Sequence, residues 1–117
     1  MAAPNIVGVT TITGKTATAQ AVGTGGTNLI ANGASSNKVI KVNSLFATNK
    51  LTTDTLVTIS IVRTATTYRL VNALTLPVGA TLDLLDRAIY LEESDTLKVQ
   101  AGDSSALDVV ASYEEIS

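Results

Sequence analysis

Between Ile89 and Ile116 apolar and polar residues alternate, and this pattern restricts the fold more than any other feature of the chain. Leu97, Val99 and Ala101 alternate with Thr96, Lys98 and Gln100. Leu107, Val109, Ala111 and Tyr113 alternate with Asp108, Val110, Ser112 and Glu114. Successive side chains of a strand point to opposite faces, so each segment offers one face to a core and the other to water. The Gly102-Asp103-Ser104-Ser105-Ala106 loop between them predicts an antiparallel hairpin with one buried face.

The same reading extends upstream. Asn5 to Thr13 alternates but lacks bulk, which suits an edge strand or an extended arm. Thr16 to Val22 sets Ala17, Ala19 and Ala21 on one face, flat enough for a close sheet or subunit contact. Gly23 to Thr27 is a flexible connection. Asn28 to Ala31 is a short strand. Lys38 to Asn49 is a long one, in which Ile40 and Val42 fall out of phase with Leu45 and Ala47. A bulge at Asn43-Ser44 would restore the phase. Thr55 to Arg63 is the cleanest strand, with Val57, Ile59 and Ile61 on one face. Tyr68 to Leu76 follows, with Tyr68, Leu70, Leu74 and Leu76 in phase. Thr81 to Leu85 reads as a strand with Leu82 and Leu84 inward, although Leu82, Leu85 and Ile89 also fit helical spacing. Strands at roughly 8–12-residue spacing, without βαβ alternation, predict an all-β fold. The expected architecture is an antiparallel β-sandwich of about eight to ten short strands, jelly-roll-like or Ig-like. Residues 1–22 form an N-terminal arm or edge strands, and residues 23–117 the sandwich.

Composition narrows the function. A chain of 117 residues that is 45% hydrophobic makes one domain with its own core. Without Cys and His it lacks thiolate metal ligands, disulfides and the commonest general base. A net charge of −2 gives no electrostatic case for nucleic acid. The charge is unevenly spread: Lys15, Lys38, Lys41 and Lys50 lie in the first half, and most carboxylates in the final third. A fold separating these groups would be dipolar and suited to lattice contacts; the alternative is an ordinary solvated surface. Met1 to Asn5 shows no secretory signal, and no apolar run is long enough to span a bilayer.

No motif declares a chemistry. Gly14-Lys15-Thr16 has Val9 where a phosphate loop needs its first Gly, so a β-turn is the better reading. Glu92-Glu93-Ser94-Asp95 offers oxygen ligands, but not at EF-hand spacing, and wet turns are commonly acidic. Tyr90 or Tyr113 could stack on a sugar or simply cap a sheet edge. No catalytic residue, cofactor or metal is assigned.

Ile89 to Val99 and Val109 to Ile116, with Lys38 to Leu45 and Leu76 to Thr81 upstream, resemble small β-rich virion structural proteins of tailed bacteriophages, including those of cyanobacteria. The resemblance covers residues 38–117, and members often carry Gly where this chain has Ser94. It implies a virion location and a non-enzymatic structural role, such as capsid decoration (cement) or another head- or neck-associated component. A tail or fibre component with receptor- or carbohydrate-binding activity is the alternative. The implied partners are other copies of the chain, a trimer for example, and other virion proteins, with no nucleic acid or membrane. The residues expected to touch a neighbouring subunit or the shell are Ile6, Val7, Val9, Ile12, Ala17, Ala19 and Ala21.

Overall fold

A computed structural model describes residues 11–85 and 87–117. Among these residues nine strands form: β1 (Ile12–Val22), β2 (Thr27–Ala31), β3 (Val39–Asn49), β4 (Thr55–Arg63), β5 (Thr66–Leu76), β6 (Thr81–Asp83), β7 (Ile89–Leu91), β8 (Asp95–Ala101) and β9 (Leu107–Ile116). They build two antiparallel sheets. The front sheet runs β1-β9-β3-β6, with β7 also on β3, and the back sheet runs β2-β8-β4-β5. The fold is therefore the expected all-β sandwich.

The pairings are nested. β4 pairs β5, β3 pairs β6 and β7, β2 pairs β8, and β1 pairs β9. The chain is one long hairpin, closed at Thr64-Ala65 and rolled over so that its two-stranded layers alternate between sheets. That is the jelly-roll arrangement, which selects between the two expected topologies. Thr64 and Ala65 hold φ of 50° and 61°, as a two-residue turn matching strand twist requires.

Inward residues of both sheets form one core, including Val42, Leu45 and Ala47 of β3, Val57 and Ile59 of β4, Leu97 and Val99 of β8, and Leu107, Val109 and Ala111 of β9. The slipped phase in β3 is a bulge, since the register with β9 shifts between Val42 and Ser44. Both halves of β3 thereby keep apolar residues inside. Ser94 sits at φ 71°, a conformation that favours glycine.

Several expectations need correction. β8 and β9 are not a hairpin: they lie in opposite sheets, and residues 102–106 arch between them. Alternation reports which face of a strand is buried, and two strands facing one core from opposite sides give the same pattern as a hairpin. In β5 only Leu76 is buried, while Tyr68, Leu70 and Leu74 are 56%, 41% and 42% exposed. Tyr68 and Leu74 do lie opposite the core-facing Ile61 and Val57, because the two register shifts against β4 cancel, but β5 is an edge strand and leaves them uncovered. Leu82 faces inward beside Ala47 but stays exposed, because β6 is a three-residue edge strand. Leu84 is half-buried against the core. The Asp83 carboxylate accepts the Leu85 N–H at 3.1 Å and turns the chain so that Leu85 enters the core.

Two buried asparagines tie the loops down. Asn49 donates to the Thr53 and Leu76 carbonyls at 2.9 Å each and accepts the Leu51 N–H at 2.9 Å. Asn32 donates to the Lys38 and Leu91 carbonyls at 2.9 and 3.0 Å. Backbone groups that leave the ladders are thus satisfied at both ends of the sandwich.

The nested topology also cancels the uneven charge of the sequence, because it lays the first half of the chain against the last third. Lys15 and Lys38 both reach Glu115, at 3.0 and 3.2 Å. Lys50 reaches Asp108 at 3.3 Å, and Lys41 is the cross-strand partner of Glu114. Early lysines and late carboxylates meet in pairs, so the two ends are not separated into opposite charges.

Candidate functional site

Among the described residues, the sequence-derived contact residues Ile12, Ala17, Ala19 and Ala21 do not share one face. Ile6, Val7 and Val9 lie outside the described residues. Ile12 is 58% exposed and points to the outer face of the front sheet, opposite Ile116. Ala17 and Ala19 point the other way and pack half-buried against their own core. Ala21 is exposed, but it sits in a register shift at φ 55°, where its N–H bonds the Asp108 carboxylate at 3.2 Å. Residues 12–22 are therefore an edge strand folded onto their own sheet.

The alternation that turns Ala17 and Ala19 inward turns Thr16 and Thr18 outward, onto the face that does collect unusual groups. Across the front sheet one row reads Thr18, Val110, Phe46, Asp83, strand by strand. The next rows read Thr16, Ser112, Ser44 on one side and Asp108, Thr48, Thr81 on the other. Thr48 and Thr81 share a hydroxyl–hydroxyl bond of 2.7 Å. Phe46 and Val110 are direct cross-strand partners, each 42% exposed, with Thr16, Thr18, Ser44, Thr48 and Ser112 around them and the Asp83 and Asp108 carboxylates beside Phe46 and Val110 respectively. The outer face of the back sheet differs: its central row is Asn28, Lys98, Ser60, Arg69.

A second feature lies beside β4 and β5, where Ile61, Arg63 and Tyr68 line a pocket of about 380 Å³. Arg63 is already engaged. Its Nε and Nη2 donate to the Asp95 carboxylate at 2.8 and 2.6 Å, and Nη2 lies 3.0 Å from Glu92. Asp95 is 1% exposed and also accepts the Glu92 N–H at 2.8 Å. The hydrogen bonds from Arg63 hold its carboxyl below the usual range, against the opposing effect of burial. The Glu115 carboxyl is lowered too, first by the hydrogen bond from Lys15. The acidic turn thus spends Asp95 on an internal arginine, and no metal-ligand cluster of three or more such residues occurs among the described residues.

The remaining motifs settle into structural places. Gly14, Lys15 and Thr16 lie within β1, so they form neither the expected turn nor a phosphate loop. Tyr90 and Tyr113 face opposite sides of the front sheet: Tyr90 is exposed opposite Lys41, and Tyr113 packs half-buried against the core. No helix among the described residues is long and apolar enough to cross a membrane. No family model, curated protein or solved structure gives a significant match to this chain.

Proposed function

We propose that this chain is a non-enzymatic virion structural protein of a tailed phage, a head decoration or other head- or neck-associated component, docking through the outer face of its front sheet. The observation that carries this reading is the exposed Phe46–Val110 pair at the centre of a Thr- and Ser-covered face. Covering such a pair gains about 25 cal/mol per Å² of apolar area removed from water. Short hydroxyl side chains lose little rotamer freedom on docking, and so oppose association less than Lys or Glu. The sequence resemblance over residues 38–117 supplies the virion context, with copies of the chain and other virion proteins as partners.

The test is to purify intact particles through a density gradient and locate the chain by quantitative mass spectrometry and electron microscopy. The reading expects many copies at regular positions on the head or neck. Its absence from particles would overturn it. The second reading, a tail or fibre module that binds a receptor or sugar, is favoured by the Tyr68–Arg63 pocket alone. Glycan binding that disappears in Tyr68→Ala, with the chain at the tail tip, would replace the first reading with the second.

A further inference from the structure

Sheet edges carry backbone groups without ladder partners, and proteins usually blunt them with short, bulged or charged strands. Here β6 and β7 have three residues each. β2 has five residues and a register shift between Asn28 and Ile30. β5 shifts register twice against β4, with Ala73 at φ 51°. β1 is different. It holds one register with β9 from Ile12↔Ile116 to Ala19↔Val109.

The hydrogen-bond phase of that edge can be read directly. Thr11 and Ser117 exchange reciprocal backbone bonds of 2.9 Å. In an antiparallel ladder such pairs alternate, so Thr13, Lys15, Ala17 and Ala19 turn their backbone groups toward β9. Ile12, Gly14, Thr16 and Thr18 turn theirs to the side on which no strand among the described residues pairs with β1. None of these four is charged. Lys15 is the sole charged residue of β1, and its ammonium lies 3.0 Å from Glu115.

Building on the assembly reading above, we propose that β1 pairs antiparallel with β1 of a second copy about a two-fold axis at Thr16. The two front sheets then become one continuous sheet. A strand edge is self-complementary under a two-fold, so a second copy is the occupant that supplies matching groups without any further segment. The register follows from the backbone groups on that side of β1. Even-numbered residues must meet even-numbered residues, and the regular run from Ile12 to Ala19 has its middle between Lys15 and Thr16. An axis at Lys15 would set two lysines face to face, which is unfavourable across strands. An axis at Thr16 pairs Thr16 with itself, Gly14 with Thr18 and Lys15 with Ala17. The small side chains of the strand leave the approach open on both faces. The hydroxyl-rich outer faces of the two copies then join, with a Phe46–Val110 pair on each side of the axis.

The chain has no cysteine, so a single introduced one reports the register. At the axis the two Thr16 Cα atoms would sit about 5.5 Å apart, within disulfide reach. Thr16→Cys in the full chain should form a covalent dimer under mild oxidation at least about tenfold faster than Thr18→Cys or the β5 control Thr67→Cys. Thr16→Lys should convert the wild-type dimer to monomer in sedimentation equilibrium, with a melting temperature that no longer depends on protein concentration and matches that of wild type diluted to monomer. Cross-linking at Thr16 no faster than at Thr67 overturns the proposal. So does a Thr16→Lys chain as dimeric as wild type, or a dimer that appears only when residues 1–10 are removed. A monomer that still attaches to particles overturns this pairing and leaves the proposed function standing.

Discussion

The front and back sheets share one core but offer water different faces. The front face has Phe46 and Val110 at its centre with Thr and Ser around them. Lys50 and Asp108 are matched there, while Asp83, on the edge strand beside Phe46, has no cation within ion-pair distance among the described residues. The back face has Lys98 and Arg69 in its central row, and neither has an acidic partner within ion-pair distance among the described residues. Both faces come from strands of the same period, so the difference lies wholly in what fills the outward positions. Long solvated cations resist being covered, because docking costs their rotamer freedom and hydration. A face with an apolar centre and mostly short hydroxyl side chains around it offers less of that resistance. On this count the front face opposes being covered less than the back face does.

The comparison requires the interior to be common property, and the largest effects test that. Ile59→Ala in the back sheet and Leu45→Ala in the front sheet should each cost about 2–5 kcal/mol in urea melts. Both side chains are fully buried. A near-wild-type midpoint for either would mean that its sheet is turned the wrong way. Next come the loop anchors. Asn49→Ala and Asn32→Ala each strip the donors from two carbonyls and should cost about 1–3 kcal/mol. Amide exchange should rise first in residues 50–54 for the former and 33–37 for the latter.

A smaller effect distinguishes margins from centres through pH. Asp95 and Glu115 have folded carboxyls lowered by Arg63 and Lys15. A lowered carboxyl stabilises the fold above its unfolded value, and that contribution disappears as pH falls through the folded one. Stability should thus decline below about pH 4. Arg63→Gln should flatten the part due to Asp95, and Lys15→Gln the part due to Glu115, each read from melting temperature against pH. An acid limb unchanged in both variants would remove these pairs from the account.

Much of the strand layout was legible in the sequence, including the β3 bulge, since Ile40 and Val42 cannot share a face with Leu45 and Ala47 in a regular strand. Sheet membership was not, because β8 and β9 alternate identically whether they pair or face each other across a core. The exposure of β5 escaped notice because Tyr68, Leu74 and Leu76 keep an inward phase in the sequence, and the edge position that uncovers the first two is set by the order of strands in the sheet. The buried roles of Asn32 and Asn49 depend on loops meeting from distant parts of the chain. The site was half legible. Alternation drew attention to Ala17 and Ala19, but it was their neighbours Thr16 and Thr18 that reached the outer face, and Phe46 and Val110 became partners only through the β3–β9 register.

The smallest expected change in stability accompanies the most direct test of the central claim. Phe46→Asp and Val110→Lys alter exposed positions and should leave the unfolding free energy within about 0.5 kcal/mol of wild type. Lys98→Glu with Arg69→Glu should be equally mild. The measurement is rebinding of each purified variant to particles assembled without this chain, scored by co-sedimentation. The account predicts that Phe46→Asp and Val110→Lys lose attachment while the back-face variant attaches like wild type. Full attachment of both front-face variants, or loss confined to the back-face variant, would contradict it.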